Sequence, residues 1–481
     1  MNKRNSINLV LMGLLVVLLL VIPIAMACSQ PAPSPKPSPA PAPSPAAPAP
    51  SPTVKPSPAP SPSPSPAVAK PKSVKIARLT DITGPYAAIS PPIDTGLKDY
   101  VEFYNKKYGG IDGVPIEFVW ADVKQDAQLS VNAYKRFKEE GALVVSAVSS
   151  GQTFAIKKLV EEDRMPMVTQ AMNLSLFQPA TDFMYGESVG NPGETTAALM
   201  WFNTKVWDRA KMGKTWKLGF LTQDIAYTKG GLPGMYKYAD DNGIEMVGTE
   251  ITPPTQLDFN TNIKRLVDAG ANVIFVSQCG ANAGIALKQM SDLKILAPLE
   301  DAIKTPGKVV PIYNDCGFYI ASLQAGGDAV KYVYGTTPWA GTFEEDKYSG
   351  IKERNDFMRQ KYNHVWASAQ EDGDSYNSGW NCNRIIVAAI EKAVKTVGWG
   401  KLDREAVVQA LKGLKLEANM SGDLSFADYD GDRIAIEKVR AARFNVEKGA
   451  REPFGDFIQV DKKYYVSQYK PLKPHPGMFV E

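Results

Sequence analysis

Two successive runs of alternating strand and helix patterns constrain the fold of this chain more than any other feature of its sequence. In the first, residues 74–79 (Val-Lys-Ile-Ala-Arg-Leu) alternate like a strand. A helix is predicted over 92–108, because Ile93, Leu97, Tyr100, Val101, Tyr104 and Tyr108 recur at helical spacing behind a proline, and Gly109-Gly110 ends it. Strands at 116–120, 142–145 and 167–169 then alternate with helices near 125–139 and 153–163. The second run places strands at 217–221, 245–251, 273–276 and 309–312, separated by helices near 232–242, 260–269 and 283–293. Strands joined through helices of this length pair in parallel, so the fold class is α/β with two doubly wound, Rossmann-like lobes. Ligand is expected beyond the carboxyl ends of the strands. Helical stretches at 378–397 and 403–414 and strand-like segments at 439–444 and 457–460 complete the chain.

The N-terminus reads as an export signal. Lys3 and Arg4 precede an apolar run from Leu9 to Ile22, which is long for a signal core and short for a membrane span, followed by small and apolar residues up to Ala27. Ala25-Met26-Ala27-Cys28 resembles a bacterial lipobox, in which the cysteine is acylated and becomes the mature N-terminus, although Ala25 stands where a branched apolar residue is usual. A plain secretory cleavage near Ala27 is the alternative. From Gln30 to Lys72 the chain is nearly all Pro, Ala and Ser, which cannot form a core. Such a segment extends as polyproline II and forms a tether with a reach on the order of 100 Å.

The remainder is too long for one core and agrees with two lobes. A formal charge of +3 leaves no footprint for nucleic acid. Four cysteines (Cys28, Cys279, Cys316, Cys382) are too few for a disulfide scaffold; with Cys28 set aside, three remain, open to one bridge and one free thiol. The two histidines, His364 and His475, stand apart from other candidate ligands, which argues against zinc and His-based catalysis. No metal or cofactor is expected.

From residue 72 to 470 the chain resembles the type I periplasmic binding proteins, in particular the leucine/isoleucine/valine-binding group. The landmarks are Thr83-Gly84-Pro85-Tyr86-Ala87, Tyr108-Gly109-Gly110-Ile111-Asp112-Gly113, Ser149-Ser150-Gly151, Met165-Pro166-Met167-Val168, Asp224 to Tyr227, Leu257-Asp258-Phe259, Gly422-Asp423-Leu424-Ser425-Phe426 and Asp430-Gly431. Each is weak alone; their order and spacing carry the resemblance. It implies a hinge of three crossings, near Asn191, Thr337 and Asp428, with lobe I over 73–191 and 338–428 and lobe II over 192–337 and 429–481, behind a signal peptide (1–27) and a lipid-anchored tether (28–72). It also implies the function: an extracytoplasmic, monomeric protein that captures a small amino-acid-like ligand, a branched-chain amino acid first of all, and hands it to an ABC permease in the membrane.

The resemblance selects the site residues. Ser150, at a helix N-terminus, would hold a carboxylate; its ordinary alternative is a serine N-cap. Ala171 would offer backbone groups and Asn173 a polar side chain, the alternative for Asn173 being a turn residue. Tyr227 would close over the ligand from the second lobe, and Asp315 would pair with an α-amino group, against a core tyrosine and a capping aspartate. Two departures unsettle the pocket shape: Ile89 replaces an aromatic, and Cys279-Gly280 stands where a tyrosine is usual. A ligand such as an amide, urea or aromatic acid stays open.

Two rival classes remain. The sequence contains no G-x-S-x-G, HExxH, Walker A or helix-opening G-x-G-x-x-G motif, so an enzyme is not expected. A sensor built on this fold would normally continue into a membrane span and a cytoplasmic output; none is expected here, which leaves a receptor acting through a partner as the alternative.

Overall fold

The computed structural model describes residues 69–207, 216–366, 373–417, 420–421, 424–426 and 433–478. Cys28, the signal and tether up to residue 68, Gly422-Asp423, Asp430-Gly431 and the crossing expected near Asp428 lie outside the described residues.

The first sheet is parallel, in the order β2-β1-β3-β4-β5, from β1 (Val74–Thr80), β2 (Ile116–Asp122), β3 (Val144–Ala147), β4 (Met167–Thr169) and β5 (Met184–Gly186). Every residue of β3, β4 and β5 is buried, as expected of parallel strands covered on both faces. The helices between them start and stop on local signals. Ser90–Tyr108 opens on prolines and ends at Gly109, whose φ of 71° suits the left-handed cap, with Lys106 and Lys107 in its last turn. Asp126 caps Ala127–Glu139 by accepting from the Leu129 amide at 2.7 Å, and Ser149 caps Ser150–Glu162 by accepting from the Gln152 amide at 3.2 Å.

The second sheet comprises β6 (Lys217–Gln223), β7 (Glu245–Thr252), β8 (Val273–Ser277), β9 (Val310–Tyr313) and β10 (Tyr334–Thr337) in parallel. A separate ribbon pairs β11 (Lys415–Leu416) with β12 (Leu424–Ser425). The last strands, β13 (Lys438–Asn445) and β14 (Ala450–Gln459), add antiparallel at the edge beyond β10, giving the order β14-β13-β10-β9-β8-β6-β7.

The chain leaves the first sheet after β5 through helix Asn191–Trp201 and returns after β10 toward helix Ser349–Tyr362. On the far side of the expected third crossing, residues 433–436 still run beside the first sheet. The Gly186 amide donates to the Arg433 carbonyl at 2.8 Å and the Ala435 amide to the Gly186 carbonyl at 2.9 Å. These bonds keep residues 433–436 alongside β5, and the chain joins the second sheet only at Lys438.

The long helix Gly373–Val397 lies tightly on Ser90–Tyr108. Gly379 faces the Ile93 carbonyl and Gly96 the Tyr376 carbonyl, so closely that a Cβ at either glycine would overlap main chain. The C-terminal stretch lies over the second lobe, where Tyr469 donates to Asp240 at 3.0 Å and the Thr249 amide to the Pro476 carbonyl at 2.9 Å. No helix among the described residues is long and apolar enough to cross a membrane.

Candidate functional site

Loops at the carboxyl ends of strands from both sheets meet at one cavity. Ser149 and Ser150 follow β3, Gln170 and Ala171 follow β4, and Glu187 follows β5; from the second lobe come Tyr227 after β6, Cys279 after β8, and Asp315 and Tyr319 after β9. Glu194 and Trp339 enter from the two crossings, and Ser378 from the long helix. The cavity volume is about 60 Å³.

Four of the five residues selected from the sequence, Ser150, Ala171, Tyr227 and Asp315, stand on this wall. Asn173 does not. It lines a neighbouring groove of about 730 Å³, caps the turn Leu174–Leu176, and donates from Nδ2 to the Ala226 carbonyl at 2.5 Å. Its side chain is used in joining the first lobe to the second. Ile89 is on the wall, and the loop supplies its aromatic group three residues earlier, at Tyr86. Cys279 is bonded to Cys316, also on the wall, while Cys382 is free and buried.

Asp315 is already engaged. Arg451 of β14 donates from Nη1 to Asp315 Oδ1 at 2.5 Å and from Nε to Asp374 Oδ2 at 3.1 Å. The Asp315 amide donates to Glu194 Oε1, whose other oxygen accepts from the Tyr227 hydroxyl at 2.8 Å. Burial pushes the Glu194 carboxyl up to about 8, with the Asp315 charge adding to the shift. Burial likewise pushes Glu187 up to about 8, against the opposing hydrogen bond from Ser378 and the Arg78 charge.

Three buried polar atoms of wall residues have no hydrogen-bond partner among the described residues: Ser150 Oγ, Trp339 Nε1 and Glu187 Oε2. An orphaned buried group costs about 1–3 kcal/mol, so a solute that satisfied all three would be strongly favoured. The first two offer donors, Ser150 from the start of helix Ser150–Glu162 and Trp339 from the passage after β10; the third offers an acceptor or an anion. Glu187, Glu194 and Trp339 were not found from the sequence. Glu187 and Trp339 follow strands too short for periodicity to reveal, and only an acidic residue in an otherwise apolar stretch could have pointed to Glu187.

Comparison with known proteins agrees with this geometry. The periplasmic binding protein family matches residues 73–450. The Leu/Ile/Val-binding protein homolog 3 of Brucella melitensis is 26% identical over 46% of this chain, a match spanning only 58% of that protein's length. The leucine-, isoleucine-, valine-, threonine- and alanine-binding protein of Pseudomonas aeruginosa is 24% identical over 75% of this chain and 87% of its own. Among solved structures, a branched-chain amino acid ABC transporter protein from Thermus thermophilus with bound valine superposes with a TM-score of 0.70 at 18% identity, covering 81% of this chain and 97% of that one. A match running from the first strand of one sheet to the last strand of the other, over an interlobe cavity built from strand ends, makes this chain a member of the periplasmic binding protein family.

Proposed function

We propose that the chain is the extracytoplasmic solute-binding component of an ABC importer, and that its ligand is a small amino acid, branched-chain ones first. It is a binder rather than an enzyme. The observation that carries the ligand reading is the set of unpartnered atoms on residues of one cavity wall: donors at Ser150, which opens a helix, and at Trp339 suit a carboxylate, and the unpaired acidic oxygen of Glu187 suits an ammonium. The binding preferences named for the Pseudomonas and Thermus proteins support the same class.

In this reading ligand enters between open lobes, contacts from both sides favour the closed form, and a permease takes the closed form as its signal. Cys28 carries the lipid, and the Pro/Ala/Ser-rich segment gives the binding domain its reach from the membrane. A thermal-shift screen of the exported chain tests the assignment, because a ligand that binds only the folded state raises its melting temperature. Valine, leucine or isoleucine should raise it. A response confined to amides, ureas or aromatic acids would keep the importer component and discard the amino-acid ligand.

A further inference from the structure

Three carboxyl groups stand on the cavity wall, and two are fully used by the protein. Asp315 is held by Arg451, and both oxygens of Glu194 accept hydrogen bonds, from the Asp315 amide and the Tyr227 hydroxyl. Glu187 differs. Its Oε1 accepts from Ser378 Oγ at 2.7 Å, while Oε2 is buried without a partner among the described residues. No Lys, Arg or His is among the described residues of the wall, and the Arg78 charge acts on Glu187 from behind it.

Glu187 is also held in place from behind. Ser378 Oγ accepts from Gln170 Nε2, Gln170 Oε1 accepts from Arg78 Nη2 at 2.5 Å, and Arg78 Nε donates to Asp94 Oδ1 at 3.2 Å. Arg78 and Asp94 are both buried, so the relay is anchored in the first lobe and fixes the orientation of the carboxyl before any ligand arrives. Such preorganisation is what a specificity-determining group requires.

Resting on the amino-acid reading above, we propose that Glu187, rather than Asp315, receives the protonated nitrogen of the ligand and sets the preference for amine-bearing solutes over their deaminated counterparts. Asp315 then serves the ion pair with Arg451. The groups that bear on Glu187 are Arg78 and Gln170 from the first sheet, Ser378 and Cys382 from the long helix, and Asp315 from the second lobe. Burial favours the protonated form of Glu187 in the empty cavity, and an arriving ammonium favours the carboxylate, so cation entry is coupled to proton release.

The test is calorimetry on the exported full-length chain at pH 7 with L-valine and with (S)-2-hydroxyisovalerate, which replaces the ammonium by a hydroxyl. The wild-type chain should prefer valine by about 100-fold, and E187Q should reduce that preference to within about 10-fold through lost valine affinity. S150A should weaken both ligands alike. Gln matches the protonated acid in shape, so E187Q should fold; if it does not melt cooperatively, wild-type proton release decides, with more protons released on binding valine than on binding the hydroxy acid. An unchanged preference in E187Q, no preference in the wild type, or equal proton release would overturn the role of Glu187 and leave the amino-acid reading standing. Failure of the wild type to bind valine at millimolar concentration would overturn both.

Discussion

Arg451 of the second lobe bonds Asp374 of the first at 3.1 Å while its other arm holds Asp315 of its own lobe at 2.5 Å. One guanidinium therefore fastens the cavity wall and spans the two lobes. Both arms are buried, and removing one partner from such an arrangement leaves uncompensated charge.

Arg451→Met should lower unfolding stability by about 3–5 kcal/mol, because Asp315 and Asp374 lose their counter-ion together. Asp374→Asn should be far milder for stability, since Arg451 keeps Asp315, but should weaken closure. Chemical denaturation reads the first effect; small-angle scattering of the ligand-bound chain reads the second as an expanded form.

The raised carboxyls make stability depend on pH in a stated direction. Glu187 and Glu194 move from an ordinary 4.5 to about 8, so between these values the folded state binds more protons than the unfolded chain. Stability from these groups is therefore fully present below about pH 4.5 and falls as pH rises toward 8. The melting temperature of E187Q should fall less steeply over pH 5–8 than that of the wild type, measured without ligand.

The Cys279–Cys316 bridge closes a loop across 37 residues, which in the chain-entropy account is worth about 3–4 kcal/mol. The double variant C279S/C316S should melt lower than the wild type and bind ligand more weakly, since both cysteines line the cavity. Adding dithiothreitol to the wild type should move its melting curve toward that of the variant.

Asn173→Ala should leave the cavity wall intact yet cost about 1 kcal/mol of closure, the net worth of one hydrogen bond across the lobes. A roughly 5-fold weaker Kd, carried mainly by faster release in stopped-flow measurements, is the expected result.

Gly379→Ala places a methyl group against the Ile93 carbonyl on the facing helix. The two helices must separate, so a loss of about 1–3 kcal/mol is expected in denaturant midpoint, with little change in slope.

The sequence made the layered α/β architecture readable because each long strand and amphipathic helix carries its own period. Strands β6, β7 and β8 begin where alternation places them. The strands β5 and β10 escaped, since Met184–Gly186 and Tyr334–Thr337 are too short to show a period. Helix Ser349–Tyr362 escaped for another reason: its sequence is largely polar. At the site, Ser150 and Asp315 were legible through the motifs around them, but the partner of Asp315 was not. Arg451 lies far along the chain in a stretch, Ala-Arg-Glu-Pro-Phe-Gly-Asp, that reads as polar and turn-like until β13 pairs with it. The interlobe use of Asn173 was hidden in the same way, because only tertiary structure brings Ala226 to it.

The pairing of residues 433–436 with Gly186 has a consequence for how the chain is made. The first sheet acquires this edge only after nearly the whole polypeptide has been synthesised, and the same segment runs directly into the second sheet. Neither sheet has its full set of neighbours until this C-terminal segment is in place. The closing residues therefore complete both sheets, and a truncation before residue 433 would take an edge from each.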